Sequence, residues 1–114
     1  MTNSLTFDLT GIEPEEGAPA ADQIIAGDPR FTTWNIEDRD GSLFSGVWQA
    51  TPGKWKVSYD EWEYFHIHEG HSILTEEGCE PIHLRAGDRL IVRPGLKGTW
   101  EVIETTLKDY VIKL

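Results

Sequence analysis

A chain of 114 residues with a net charge of -10 and 39% hydrophobic content has the length of one domain and apolar content for one modest core. Its acidity argues against nucleic acid and anionic membrane surfaces, which recruit Lys and Arg. Six of the acids precede Arg30 with no base among them, and from Arg30 onward fourteen acids face ten bases, so the acidity is partly a property of the N-terminal arm.

The single cysteine, Cys79, excludes an internal disulfide framework and, with no basic neighbour, reads as an inert thiol rather than a reactive one. The N-terminus has neither a basic region nor a long apolar run, and no stretch is apolar for long enough to span a bilayer. The expectation is a cytoplasmic protein without a signal peptide.

In chain order, residues 1–26 read as an acidic, partly irregular arm punctuated by Pro14, Gly17 and Pro19, in which Leu5, Phe7 and Leu9 alternate as an edge strand would. After the turn Gly27-Asp28-Pro29, the segment Phe31 to Ile36 has the β-branched and aromatic content of a strand. Asp40-Gly41 is the strongest hairpin dipeptide in the chain. Strands are expected from Leu43 to Ala50 and from Trp55 to Tyr59, with Pro52-Gly53 between them. Shorter runs follow at Ser72 to Thr75, Ile82 to Leu84, Arg89 to Val92 and Thr99 to Ile103, and a last one carries Tyr110 and Ile112. No apolar stripe at helical spacing persists. Short strands with frequent turns predict an all-β antiparallel sandwich or barrel over residues 27–114.

The stretch Glu63-Tyr64-Phe65-His66-Ile67-His68 poses the chemical question. In a strand, Glu63 shares a face with Phe65 and Ile67, while Tyr64, His66 and His68 take the other. A carboxylate on a core-facing side needs a cation, donors or a proton, unless it sits at a strand end and reaches water. If the strand extends back to Glu61, two carboxylates share a site, and Lys56, a basic ligand or a shared proton must relieve them. On that reading Glu63→Gln raises stability at neutral pH. His66-x-His68 is either a surface metal pair or a half-buried packing face, and packing is the more ordinary use of such histidines. Of the five tryptophans, Trp48 reads as core, and Trp55 and Trp62 read equally as core or as rings lining a pocket.

Gly87-Asp88 followed by Arg93-Pro94-Gly95, and Glu63 followed by Gly70, resemble the two cupin motifs. Gly46-x-Trp48, Pro52-Gly53-Lys-Trp55, Glu61-x-Glu63, Glu69-Gly70 and Gly98-Thr-Trp100-Glu are together similar to small cupins grouped with ureidoglycine aminohydrolase, with the ethanolamine-utilisation cupin a more distant relative. The resemblance covers roughly residues 27–114 and implies a double-stranded β-helix, or jelly-roll barrel, with its site in the mouth. It also implies that Glu63 stands where metal-binding cupins keep a ligand. The preceding His-x-His positions are held here by Lys56 and Ser58, or by Val57 and Tyr59, and the fourth ligand falls at Gly98. The aminohydrolase chemistry relies on a bound metal, so the chain departs from the family pattern at the residues that chemistry uses.

The resulting expectation is a stand-alone cupin that binds a small polar metabolite in the barrel mouth, with no cofactor and a divalent metal disfavoured. Tyr59, Glu61 and Glu63 are the candidate acid or base groups, and Lys56, Trp55 and Trp100 the candidate ligand-binding residues. The alternatives are a metal-dependent enzyme using Glu63 and a non-catalytic dimeric or regulatory module. A homodimer is expected, because the face of Tyr64, His66 and His68 is too aromatic for a solvated strand.

Overall fold

A computed structural model describes residues 2–114; Met1, the first residue of the acidic arm, lies outside the described residues. The strands are β1 (Glu15–Gly17), β2 (Ile24–Gly27), β3 (Phe31–Arg39), β4 (Leu43–Ala50), β5 (Gly53–Ser58), β6 (Trp62–Glu76), β7 (Ile82–Arg85), β8 (Arg89–Val92) and β9 (Lys97–Lys113), with one turn of 3-10 helix at Ala21–Gln23. The expected all-β, antiparallel curled sheet is what forms. One path runs β1-β3-β4-β9-β5-β2, and β6 pairs with β7, β8 and β9.

The sheet closes on itself through its longest strand. One edge of β9 pairs with β5 through Lys97 to Val102 and with β4 through Thr106 to Lys113. Its other edge pairs with β6 along nearly the whole length. A strand that serves two neighbours in succession must bend between them, and the sheet coils into a barrel around that bend.

Separate runs were expected on either side of Gly70 and between Ile103 and Tyr110, yet β6 and β9 are continuous. Gly70 bends its strand rather than ending it. Its φ is +95°, and a Cβ there would lie 2.2 Å from the Thr105 carbonyl, so only glycine lets β9 pass. The β6–β9 register shifts between Ile67 and Ser72 around the same point.

The Asp40-Gly41 hairpin forms as expected: both residues have positive φ, 57° and 66°, and the Ser42 N–H donates to the Arg39 carbonyl. These are the angles a type I′ turn requires. The arm differs. Leu5, Phe7 and Leu9 are exposed and lie outside any strand. Glu15–Gly17 pairs instead with β3, and Ile24–Gly27 with β5, so the arm supplies two strands of the sheet.

Inside the barrel, Phe65, Ile67, Leu74, Leu84, Val92, Trp100 and Val102 form one core. Burial of each large side chain contributes about 2 kcal/mol. The alternation along β6 is the expected one: Glu63, Phe65 and Ile67 are buried and point inward, while Tyr64 and His66 are half-buried on the other face.

Candidate functional site

Glu63 and Lys108 meet inside the mouth of the barrel. Lys108 Nζ donates to Glu63 Oε2 at 2.9 Å, and the two residues are only 4% and 5% exposed. Strand alternation along β9 puts Thr106, Lys108 and Tyr110 on the inner face, each buried. Pairing then sets their neighbours: Trp48 of β4 lies directly beside Lys108 on one edge and Ile67 of β6 on the other. The ammonium sits 4.4 Å from the Phe65 ring, 4.5 Å from Trp48 and 4.8 Å from Trp100. Three π faces and one carboxylate thus surround it, the partners that stabilise an ammonium away from water.

The pair lies at the edge of a cavity of about 500 Å³. Phe31, Trp48, Trp55 and Trp100 line it, with Tyr59, Tyr110, Thr33 and Asn35 as polar groups and Glu15 and Asp38 as exposed acids. The rings pack tilted or edge-on: Phe31 lies tilted 5.2 Å from Trp48 and edge-on 5.1 Å from Trp55, and Trp48 lies edge-on 5.8 Å from Trp100. Tyr110 donates to Asn35 Oδ1 at 2.8 Å across Gly46, which is the register partner of both. A Cβ at Gly46 would lie 2.7 Å from the Tyr110 hydroxyl, so the missing side chain is what lets that bond form.

A bulge aims one of the acids. Along β3, Phe31, Thr33 and Asn35 face the cavity in alternation, which would turn Asp38 away. The register shifts by one residue between Asn35 and Glu37, and Asp38 comes onto the cavity side. Glu15 arrives on β1, opposite Thr33.

Burial first, and then the Glu63 and Glu61 carboxylates, push the Tyr59 phenol well above its ordinary value. Tyr110 is pushed up to about 12, by burial first and then by Glu63 and Glu15. Burial and the Glu63 charge also raise the Glu61 carboxyl, partly offset by backbone donors.

The expected site residues separate into two groups. Glu63, Tyr59, Trp55 and Trp100 converge on the cavity. Glu61 precedes β6 in a bend, near Glu63 in charge but outside the cavity lining. Lys56 is exposed on β5 and does not meet Glu63, so the counter-charge expected of it comes from Lys108 instead. That overturns the strained acid pair: Glu63 has a counter-charge in Lys108, 2.9 Å from its Oε2. Trp48, read as core, lines the cavity and faces the ammonium. Reasoning from sequence missed Lys108, although the alternation Tyr110, Ile112 carried back one step places it on the same face.

Cupins that hold a metal would use Glu63 as a ligand, so the donors around it decide the fit. Among the described residues no group of three His, Cys, Asp or Glu is placed to share an ion. One Glu63 oxygen is bonded to an ammonium that itself brings a positive charge. At Gly98, a Cβ would lie 1.9 Å from the Thr75 carbonyl, so no ligand side chain fits there. These residues do not fit a transition metal, which needs several convergent N, O or S donors. The outward histidines do not supply one either. His68 pairs with Asp109 at 2.8 Å, and His71 shares a 2.9 Å ring-nitrogen hydrogen bond with His83.

A curled antiparallel sheet with a polar group and aromatic rings in its open end defines a small β-barrel of the jelly-roll class. Residues 37–110 match the EutQ-like cupin domain, and the chain belongs to that family. No curated protein matches it. Among solved structures it is similar to a protein of unknown function from Pseudomonas syringae pv. tomato, with TM-score 0.80 and 23% identity over 90% of this chain; the chain spans only 44% of that protein. It is also similar to a putative ethanolamine utilization protein q from Salmonella typhimurium, with TM-score 0.66 and 17% identity over 90% of this chain and 96% of that one. A predicted oxalate decarboxylase from Thermotoga maritima aligns with TM-score 0.74 and 14% identity over 96% and 99% of the two chains. At these identities the likeness is one of fold.

Proposed function

We propose that this cupin binds a small polar metabolite in the mouth of its barrel, without a tightly held transition metal. The observation that carries the reading is the cavity itself, about 500 Å³, built from aromatic walls around a buried Glu63–Lys108 pair. That volume and that mix of apolar wall with few fixed polar groups suit a small-molecule site. Tyr59, Glu63, Trp55, Trp48 and Trp100 are the contact residues, and the acidic arm contributes Glu15 to the entrance. No helix among the described residues is long and apolar enough to cross a membrane.

Acid–base catalysis at the same site is the second reading, favoured by the upward shifts at Glu61 and Tyr59. In that case Tyr59, which lines the cavity with Glu63, is the group placed to hydrogen-bond the reacting ligand, and Glu61 acts from outside the cavity through its charge. The two readings part on whether a ligand is returned unchanged.

The test is a metabolite library screened by tryptophan fluorescence and by thermal shift, with each hit checked for turnover by NMR. Saturable binding lost on filling the mouth with Thr33→Trp supports the site. A stoichiometric Mn, Fe, Ni or Zn in elemental analysis, removed by Glu63→Ala, would sink the metal-free reading.

A further inference from the structure

We infer that the ligand is an organic cation bearing an N–H, an amine or amidine on a flat or apolar body, held between the rings, the free oxygen of Glu63 and the acids of the entrance. This names the ligand class of the site proposed above and rests on that reading.

The cavity holds three carboxylates, Glu15, Asp38 and Glu63, and one ammonium, Lys108. The ammonium is already committed. It donates to Glu63 Oε2, and its other sides face the rings of Phe65, Trp48 and Trp100 at 4.4 to 4.8 Å. Its side chain is as buried as that of Glu63, 6% exposed, but the rings and the Glu63 carboxylate already occupy the sides from which an anion would approach. An anionic ligand would therefore meet the acids and the ring faces without reaching the one cation.

Glu63 is different. Lys108 takes Oε2, and no donor among the described residues reaches Oε1. That oxygen is not sealed in, because among the described residues no fully enclosed side-chain N or O atom lacks a partner. A side chain only 6% exposed therefore presents an unpaired acceptor to the cavity. A carboxylate oxygen without a donor calls for one, and N⁺–H to carboxylate bonds are the strong ones.

The walls and the rim favour the same charge. The faces of Phe31, Trp48 and Trp55 attract cations by their quadrupoles, most of all where water is excluded. Glu15 and Asp38 stand at the opening, where they draw a cation inward. The Tyr110 phenol is raised by burial first and then by the Glu63 and Glu15 charges, which both bear on this part of the cavity. Asp38 reaches the cavity side only because of the β3 bulge, a local irregularity that the sheet itself does not require.

Four probes of one shape test the class: benzylammonium, benzyltrimethylammonium, benzyl alcohol and benzoate, titrated into the full chain and read by tryptophan fluorescence and NMR. Benzylammonium should saturate. The trimethylated cation, which has no N–H for Glu63, should bind about tenfold more weakly, and the alcohol and benzoate more weakly still. In the double variant Glu15→Gln/Asp38→Asn, which alters exposed side chains only, benzylammonium should weaken several-fold while benzyl alcohol is unchanged. Tighter binding of benzoate or benzyl alcohol than of benzylammonium overturns the cation class and leaves the cavity as a metabolite site. Equal binding of the two cations overturns the role of the Glu63 oxygen. Unaltered benzylammonium binding by the double variant overturns the role of the rim. If no probe saturates, the cation class and the metabolite site fall together.

Discussion

Two buried charges that hold each other are costly to separate. Removing one member of such a pair strands the other in a low-dielectric interior, at about 3 kcal/mol or more. Glu63→Gln keeps the shape but leaves Lys108 without its counter-charge, so it should lower stability at neutral pH by about 3 kcal/mol. Lys108→Met should cost a similar amount, while the double variant Glu63→Gln/Lys108→Met should lose clearly less than the sum. Denaturant unfolding of the four proteins measures the cycle, and additive losses would show that the pair is not coupled. Glu61 provides a second check. Its carboxyl is raised by burial and by Glu63, so the folded state binds its proton more tightly than the unfolded state does. That contribution favours folding at low pH and is lost as pH rises above the ordinary Glu value of about 4.3. Glu61→Gln should therefore gain stability over wild type at pH 7 and show little difference at pH 3; the reverse order would mean that donors around the ionised form dominate.

At the scale of elements, irregularities shape the cavity. Gly46 sits between Asn35 on β3 and Tyr110 on β9, and its bare backbone leaves the path open for the Tyr110–Asn35 hydrogen bond. A Cβ there would also lie 2.1 Å from the Trp34 carbonyl, a backbone atom that cannot rotate aside. Gly46→Ala should cost about 1–3 kcal/mol through strand displacement and loosen the bond across it. Thermal unfolding measures the first effect, and Tyr110→Phe in the Gly46→Ala background measures the second, since it should then cost less than in wild type. The bulge in β3 works on a different scale: deleting Ile36, the residue without a register partner, would remove the bulge and leave Asp38 two positions from Asn35, still on the cavity side, with the Glu37-to-Arg39 pairing to β4 unchanged.

For the whole molecule, the outer face of β6 and its neighbours is the surface on which the expected homodimer is tested. Tyr64 and His66 are half-buried there, and Ile91, the register partner of Tyr64 on β8, is 54% exposed. The homodimer expected from the sequence would bury this patch. Light scattering at micromolar concentration should give twice the mass of one chain, and Ile91→Glu should shift it toward the monomer. A monomer mass for wild type would remove the dimer and leave the cavity, which opens on the inner side of the barrel, as it is.

Much of this was legible along the chain because strand alternation is a local property. Period two placed Glu63, Phe65 and Ile67 on one inward face, and a carboxylate in that company announced that a counter-charge must be near. The Asp40-Gly41 turn and the cupin motifs were equally readable, because backbone angles and short spacings lie within a few residues. Which lysine answers Glu63 was not. Lys56 and Lys108 both sit on strands, and only the coiling of β9 between β4, β5 and β6 brings a residue 45 positions away within 2.9 Å while leaving the nearer one in solvent. The same closure decided that Gly98 has no room for a side chain and that a bulge turns Asp38 toward the cavity. Alternation tells a residue which face it takes; the pairing partners and the curl of the sheet decide what waits on that face.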